Sequence, residues 1–309
     1  MRRPSARSTS GPLTPGTTQA VKLRVLLQLV EDEGSKYPLS VERLIKGRYV
    51  DDICGGADSE DGLLRTAHQV TRLCLSGGFP LTRWNSNSPA LLNSLSPDSA
   101  PQGHRTFEDK DSPAKILGVS WHPGTDRFTF SISLPKTDSI TKRIILSEIT
   151  QLFDPLGFLI PVVIHAKILL QALWIEKLGW DEPVFSITAK QWGQFRNELT
   201  QLSKITIPRW IGLLTDSVME IHGFSDASQL AMSAVVYLKV FNKNEELRII
   251  LVCSNTKVAS LKRLTIPRLV LTAALLLAKL VKYVQEQLNL TNTTTYLWTD
   301  SSVTLTWIN

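Results

Sequence analysis

Arg48-Tyr-Val-Asp-Asp-Ile-Cys-Gly-Gly-Ala-Asp58 sets two adjacent acids, Asp51 and Asp52, among apolar β-formers and closes on a glycine pair. Short runs of that composition about a tight reversal read as a β-hairpin with the acids at its tip. Neighbours on a strand point to opposite faces, but at a turn they can converge, and convergent carboxylates attract a divalent cation. On its own the pair reads as a solvated turn. Its surroundings narrow the reading. Residues 59–75 carry Leu63, Leu64, Ala67, Val70, Leu73 and Cys74 on one stripe, a helix stopped by Gly77-Gly78. A strand follows over 79–84. Beyond a polar, proline-bearing loop, 115–122 and 127–133 form a second hairpin about Pro123-Gly-Thr-Asp126. Upstream, 21–30 and 40–46 have helical spacing, and 1–20, with Arg2, Arg3 and Arg7 among Ser, Thr, Pro and Gly, reads as a disordered basic tail.

Further along, 141–153 is an amphipathic helix with Ile144, Ile145, Ile149 and Leu152 on its inner face, broken by Asp154-Pro-Leu-Gly157. A very apolar helix over 161–178 and another over 188–202 follow. Met219-Glu-Ile-His-Gly-Phe-Ser-Asp-Ala-Ser228 is a strand that ends on one acid, and 232–240 and 247–253 are two further strands. A helix of about 20 residues then starts at Ile266 with Pro267 in its first turn. Thr295-Tyr-Leu-Trp-Thr-Asp-Ser301 is a strand that again ends on an acid, and the apolar pattern stops uncapped at Asn309, as in a chain cut short.

Composition excludes several classes. At 309 residues and 43% apolar content the chain can bury roughly two cores, so wholesale disorder is excluded. Its most apolar stretches, 158–175 and 269–284, are interrupted by Pro161, His165 and Lys167 and by Lys279, short of the about 20 uncharged residues a membrane span requires. Cys54, Cys74 and Cys253 are odd in number and widely spaced, which excludes a disulfide scaffold and a thiolate zinc site and points to a reducing compartment. Lys and Arg exceed Asp and Glu by 34 − 28 = 6, which permits a polyanionic partner without requiring one.

The succession Tyr49-Val-Asp-Asp52, Gly77-Gly-Phe-Pro-Leu-Thr-Arg-Trp84, Lys115-Ile-Leu-Gly-Val-Ser-Trp121, Phe153-Asp-Pro-Leu-Gly157, Ile207-Pro-Arg-Trp210, Phe224-Ser-Asp-Ala-Ser228 and Trp298-Thr-Asp-Ser301 resembles Pol polyproteins of BEL/Pao-class LTR retrotransposons. The resemblance covers about residues 21–309. It implies an α+β chain: a partial reverse-transcriptase palm with its hairpin over 21–135, a helical thumb and connection over 136–214, and a truncated RNase H-like α/β domain over 215–309.

The same resemblance implies Asp51 and Asp52 as polymerase carboxylates and Asp226 and Asp300 as RNase H carboxylates, all four of them ligands of Mg2+. Lys136, Lys142, Arg143 and Lys167 are implied as phosphate contacts of the thumb, the alternative for each being a place on a solvated face. Both catalytic sets are incomplete. A further palm acid belongs on an earlier strand, and Val270 stands where a third RNase H carboxylate, a glutamate, is expected. Two-metal chemistry needs a fuller oxygen set than two acids provide. The expectation is a fragment, ancestrally an RNA-directed DNA polymerase and RNase H, inactive alone and holding no Mg2+ tightly. Its expected partners are an RNA or DNA duplex or hybrid and other Pol segments, in the cytoplasm or nucleus, with no membrane and no secretion. The alternative is a non-enzymatic nucleic-acid-binding remnant. An aspartic peptidase, a label this region of such polyproteins often carries, would need an Asp-Thr-Gly or Asp-Ser-Gly loop, and neither occurs.

Overall fold

The computed structural model describes residues 5–10, 19–49, 52–95, 114–116, 119–132, 134, 139–213, 217–241 and 247–308. The chain divides into two units, the first running to Thr129 and including Thr206–Trp210, the second made of Phe130–Ile205 and the residues from Ile211 onward. The chain is α+β.

The first unit contains Ser5–Ser10 (β1), Gln19–Glu33 (α1), Pro38–Lys46 (α2), Arg48–Tyr49 (β2), Asp52–Gly56 (β3), Glu60–Ser76 (α3), Leu81–Ser86 (β4) and Pro89–Ser94 (α4). Helix α3 starts where Ser59 accepts a hydrogen bond from the Gly62 amide at 3.1 Å, with Glu60 and Asp61 in the first turn favoured by the helix dipole. Its stripe Leu63, Ala67, Val70, Leu73 and Cys74 packs with Leu44, Ile53, Leu81 and Trp84 into one core. The sheet order is β2-β3-β1-β4. Ser5–Ser10 therefore departs from the disordered tail expected over 1–20. It forms a central strand, antiparallel to β3 on one side and to β4 on the other. The physical reason lies in the backbone: two ladders satisfy the amides and carbonyls of a segment whose side chains give no apolar signal. A second sheet joins Ala114–Ile116 (β5), Val119–His122 (β6), Arg127–Thr129 (β7) and Thr206–Pro208 (β8) in that order.

The second unit opens with Lys142–Gln151 (α5), Ile160–Ile175 (α6) and Ser186–Leu199 (α7). It continues with Val218–Ala227 (β9), Ala231–Phe241 (β10), Leu247–Val258 (β11), Ile266–Gln287 (α8), Thr294–Trp298 (β12) and Ser302–Ile308 (α9). The strands lie in the order β11-β10-β9-β12, antiparallel except that β12 runs parallel to β9. Along β10 buried and half-buried residues alternate, and Ala234, Val236, Leu238 and Val240 meet Leu276, Leu277, Val281 and Val284 of α8. Gly223 of β9 lets that helix come close, since a Cβ there would lie 2.7 Å from the Leu277 side chain.

Within this unit the helices and the sheet are joined. The Leu156 carbonyl accepts from the Ser254 amide at 2.9 Å, and Gln171 Nε2 donates to the Ala259 carbonyl at 2.8 Å. Gly157, at φ +73°, packs so closely on Ser254 that a Cβ would run into the Ser254 carbonyl. The grouping thus differs from the expected division at 135/136 and 214/215. Thr206–Pro208 returns to the first unit, and the helices after residue 141 belong with the β9–β12 sheet.

Candidate nucleic-acid interface

One end of the β9–β12 sheet gathers the second pair of acids. Asp226 is the penultimate residue of β9, exposed, with Oδ1 accepting from the Ala227 amide at 2.7 Å. In the parallel ladder Trp298, the last residue of β12, sits opposite Phe224, and Asp300 follows two residues after the strand ends. Both acids therefore lie at the same end of the sheet. The first turns of α8 pack at this same end, where Leu269 and Ala273 meet Met232, Ala259 and Ala227. Val270, next to Leu269, is 3% exposed and brings no oxygen. Beside Asp226, Ser225 Oγ is buried without a hydrogen-bond partner.

Mg2+ is the metal such a constellation implies, and these residues do not fit a pair of ions. Two exposed carboxylates with a valine at the third position cannot fill two oxygen shells of about six ligands each. Among the described residues no group of three or more His, Cys, Asp or Glu could hold a metal ion.

The same end carries cations that the sequence motifs did not single out. Lys257 is level with Ala227, two strands and about 10 Å away, because both pair with Met232. Lys262 and Arg263 follow in the loop from β11 to α8, and Arg268 lies in the first turn of that helix. All four are exposed, and among the described residues none has an acidic partner. The signal was present in the sequence as a run without acids: from Leu247 to Gln285 there is no Asp or Glu. A motif search passes over it because the cations are spread across a strand end, a loop and a helix start.

The expected thumb contacts fall elsewhere. Lys142 is corrected: it is 4% exposed, its Nζ lies 3.9 Å from the Trp174 ring centroid and 5.6 Å from that of Trp180, and it donates to the Leu178 carbonyl at 3.2 Å. That ammonium is spent inside the fold, in an aromatic box, and cannot reach a phosphate. Arg143 is exposed but held two-fold by Asp181, Nε to Oδ1 at 2.7 Å and Nη2 to Oδ2 at 2.9 Å, and the guanidinium keeps the Asp181 carboxyl below its usual range. Lys167 is exposed on α6, where its charge works against the rise that burial imposes on the Asp154 carboxyl. Asp154 itself accepts from the Phe158 and Leu159 amides at 2.8 and 2.7 Å, so Asp-Pro-Leu-Gly is a turn that starts α6. Lys136 lies outside the described residues.

In the first unit Asp52 opens β3, half-buried, opposite Tyr49 of β2 and Thr9 of β1. Asp51 lies outside the described residues. The strand next to Asp52 holds Ser, Ala, Arg and Thr and no acid, so the pairing that brings β1 to this position adds no carboxylate.

A family model described as Pao retrotransposon-like RNaseH-like domain matches residues 141–301. Its span covers α5 to α8 and the β9–β12 sheet of the second unit, together with Thr206–Trp210 of the first. No curated protein matches the chain. Among solved structures, the foamy viral protease-reverse transcriptase dRH in complex with double-stranded DNA aligns with 12% identity and a TM-score of 0.49, over 99% of this chain and 51% of that one. The foamy viral protease-reverse transcriptase in complex with double-stranded DNA aligns with 14% identity and a TM-score of 0.21, over 99% and 65%. The chain thus spans about half the length of the first of these proteins and under two thirds of the second.

Proposed function

Because the chain belongs to the Pao retrotransposon-like RNaseH-like domain family, we propose that it is a Pol-derived fragment that grips the backbone of a nucleic-acid duplex or hybrid without cleaving or extending it. The observation that carries this reading is the sheet end just described. Lys257, Lys262, Arg263 and Arg268 stand exposed without acidic partners beside Asp226 and Asp300. Phosphate oxygens are the natural acceptors for such cations, and contacts of that kind position a duplex without reading its sequence. Turnover fails for lack of oxygens, with Val270 where a third carboxylate would complete the set. The ancestral chemistry is polymerisation by the Asp51–Asp52 site and hybrid cleavage by the Asp226–Asp300 site, and neither is kept. The Mg2+ affinity of the chain is correspondingly low.

Fluorescence anisotropy with a labelled DNA duplex and an RNA–DNA hybrid tests the grip. Four phosphate contacts give a salt slope of about −3.6 on B-form DNA, or about a hundredfold loss of affinity from 50 to 200 mM salt. The same hybrid incubated with Mg2+ and the chain stays intact. Absence of binding at low salt refutes the grip, and cleavage abolished by Asp226→Asn refutes the inactivity.

A further inference from the structure

Alternate residues of β9 turn to opposite faces of its sheet. Ile221 and Gly223 turn to α8, where the sheet packs on Leu276, Leu277 and Val281 of that helix. Glu220, His222 and Phe224 turn the other way, and the ladders place Tyr296 and Trp298 of β12 and Tyr237 of β10 in the same rows. The first face is aliphatic, as a face that packs on a helix should be. The second is aromatic, and Phe224, Tyr296 and Trp298 stand on it 42, 42 and 50% exposed.

Hydrogen bonds at the ring edges fix this surface. Trp298 Nε1 donates to His222 Nδ1 at 3.4 Å, and His222 Nε2 lies 2.9 Å from Glu220 Oε2, which also accepts from Lys239 Nζ at 2.9 Å. An indole N–H and an imidazole lone pair both lie in their ring planes. The two rings are 9° from parallel, so the bond between them lays them edge to edge as one flat surface. Phe224 lies 13° from parallel to Trp298 with centroids 6.2 Å apart, and Tyr296 lies 23° from parallel to His222 at 5.1 Å. The polar edges of Trp298 and His222 are spent on one another and on Glu220, whose charge Lys239 matches. What remains for a ligand is π surface.

On the reading that the sheet end grips a duplex, we propose that this face is a stacking platform for the unpaired bases of a strand that extends beyond that duplex. The two places adjoin, since Asp226 is the next residue after Phe224 on this face of β9. A four-stranded sheet with exposed rings on neighbouring strands can stack about two or three bases. Every base has a π face, so the platform takes unpaired bases with little regard to sequence. Edged by Glu220 and Lys239, the rings lack the aliphatic rows by which the opposite face holds α8. The occupant they suit is flat and aromatic, not a helix of another polypeptide.

The test is fluorescence anisotropy with the full chain and four labelled probes: a blunt duplex, the same duplex with a short overhang of thymidines or of uridines, that overhang built from abasic sites, and the free single strand. Either base-bearing overhang tightens binding at least about fivefold over the blunt duplex, the lower end for one stacked base, and the abasic overhang does not. Trp298→Ala brings the ratio of overhang to blunt affinity close to one, Phe224→Ala lowers it, and Trp298→Phe, which keeps a ring, retains most of it. An abasic overhang that binds as well as the thymidine one, an overhang that adds nothing, or a ratio unchanged in both alanine variants overturns the platform and leaves the duplex grip standing. Free single strand bound without any duplex binding, and released by Trp298→Ala, keeps the platform and removes the grip. No binding of any probe removes both. A dimer in sedimentation that Trp298→Ala disperses gives the face to a second copy of the chain, and the proposal falls.

Discussion

Asp126 and Arg209, eighty-three positions apart, meet as a two-point ion pair, Nε to Oδ1 at 2.6 Å and Nη2 to Oδ2 at 3.0 Å. Asp126 sits in the turn between β6 and β7 with φ at 55°, and its Oδ1 also accepts from Trp121 Nε1 at 3.0 Å. The Arg209 amide donates to the Asp126 carbonyl at 3.1 Å, and the guanidinium lies 5.7 Å from the Trp121 ring centroid. This pair gives the Pro-Arg-Trp motif its purpose: it pins β8 to the β6–β7 turn and closes the second sheet of the first unit.

Because Asp126 is 3% exposed, its removal takes the two-point carboxylate partner from the half-buried Arg209 guanidinium and the acceptor from the Trp121 indole N–H. Breaking a buried pair of this kind costs about 3–5 kcal/mol. Asp126→Ala loses that much in urea denaturation followed by tryptophan fluorescence. Asp126→Asn loses less, since asparagine tolerates the left-handed turn and still accepts from Trp121. Equal losses in the two variants would show that the ion pair alone, with no share from the turn conformation or the Trp121 bond, sets the cost.

The parts of this fold that were legible in the sequence are those with a strong period or a cap. The α3 stripe, the 123–126 turn, the alternation of β10 and the long α8 all announce themselves by spacing. Strand β1 was hidden because Ser, Ala, Arg and Thr carry no apolar alternation, and its place comes from ladder pairing alone. Lys142 misled for a related reason. Charge in a sequence suggests a surface, and only the packing of Trp174 and Trp180, more than thirty residues on, shows the ammonium enclosed. The strands that lead to Asp226 and Asp300 were legible from their apolar runs, whereas the parallel pairing of β12 with β9 was not.

The three thiols differ in burial. Burial pushes Cys74 up to about 12 and Cys253 up to about 11, while Cys54 on β3 is half-buried. At pH 8 a thiol of pKa about 12 is ionised in about one molecule in ten thousand, and the thiolate is the nucleophile. Iodoacetamide at pH 8 therefore labels Cys54 first in the native chain, with Cys74 and Cys253 modified only on adding denaturant. Peptide mass spectrometry reads the order directly, and early labelling of Cys74 would mean that the α3 core opens.

Acid weakens one bridge between β9 and β10. Lys239 Nζ donates to Glu220 Oε2 at 2.9 Å, and His222 Nε2 lies 2.9 Å from the same oxygen while Nδ1 accepts from Trp298 Nε1 at 3.4 Å. These contacts, Lys239 foremost, hold the Glu220 carboxyl below the usual glutamate range. A carboxyl lowered by folding stabilises the native state fully above its unfolded pKa, and that contribution drains away as pH falls through the folded value. Melting curves of the parent chain and Glu220→Gln thus differ near neutral pH and converge in acid below the ordinary glutamate range. A constant gap across the series would show that the carboxylate charge is not what the bridge uses.

Lys142 and the pair Lys262–Arg263 separate folding from grip. Lys142 is enclosed by Trp174 and Trp180, so Lys142→Ala empties an aromatic box and lowers stability by about 1–3 kcal/mol, combining lost cation–π attraction with lost packing. It leaves duplex affinity, measured well below the melting temperature, within about twofold of the parent. Lys262 and Arg263 are exposed in the loop before α8, and replacing both by alanine changes stability by less than about 0.5 kcal/mol. The double variant instead flattens the plot of log affinity against log salt by about 1.8, the share of two released counterions on B-form DNA. Were Lys142→Ala to flatten that plot while the loop variant did not, the nucleic acid would lie on the α5–α6 face, and the carboxylate end of the sheet would lose its assigned role.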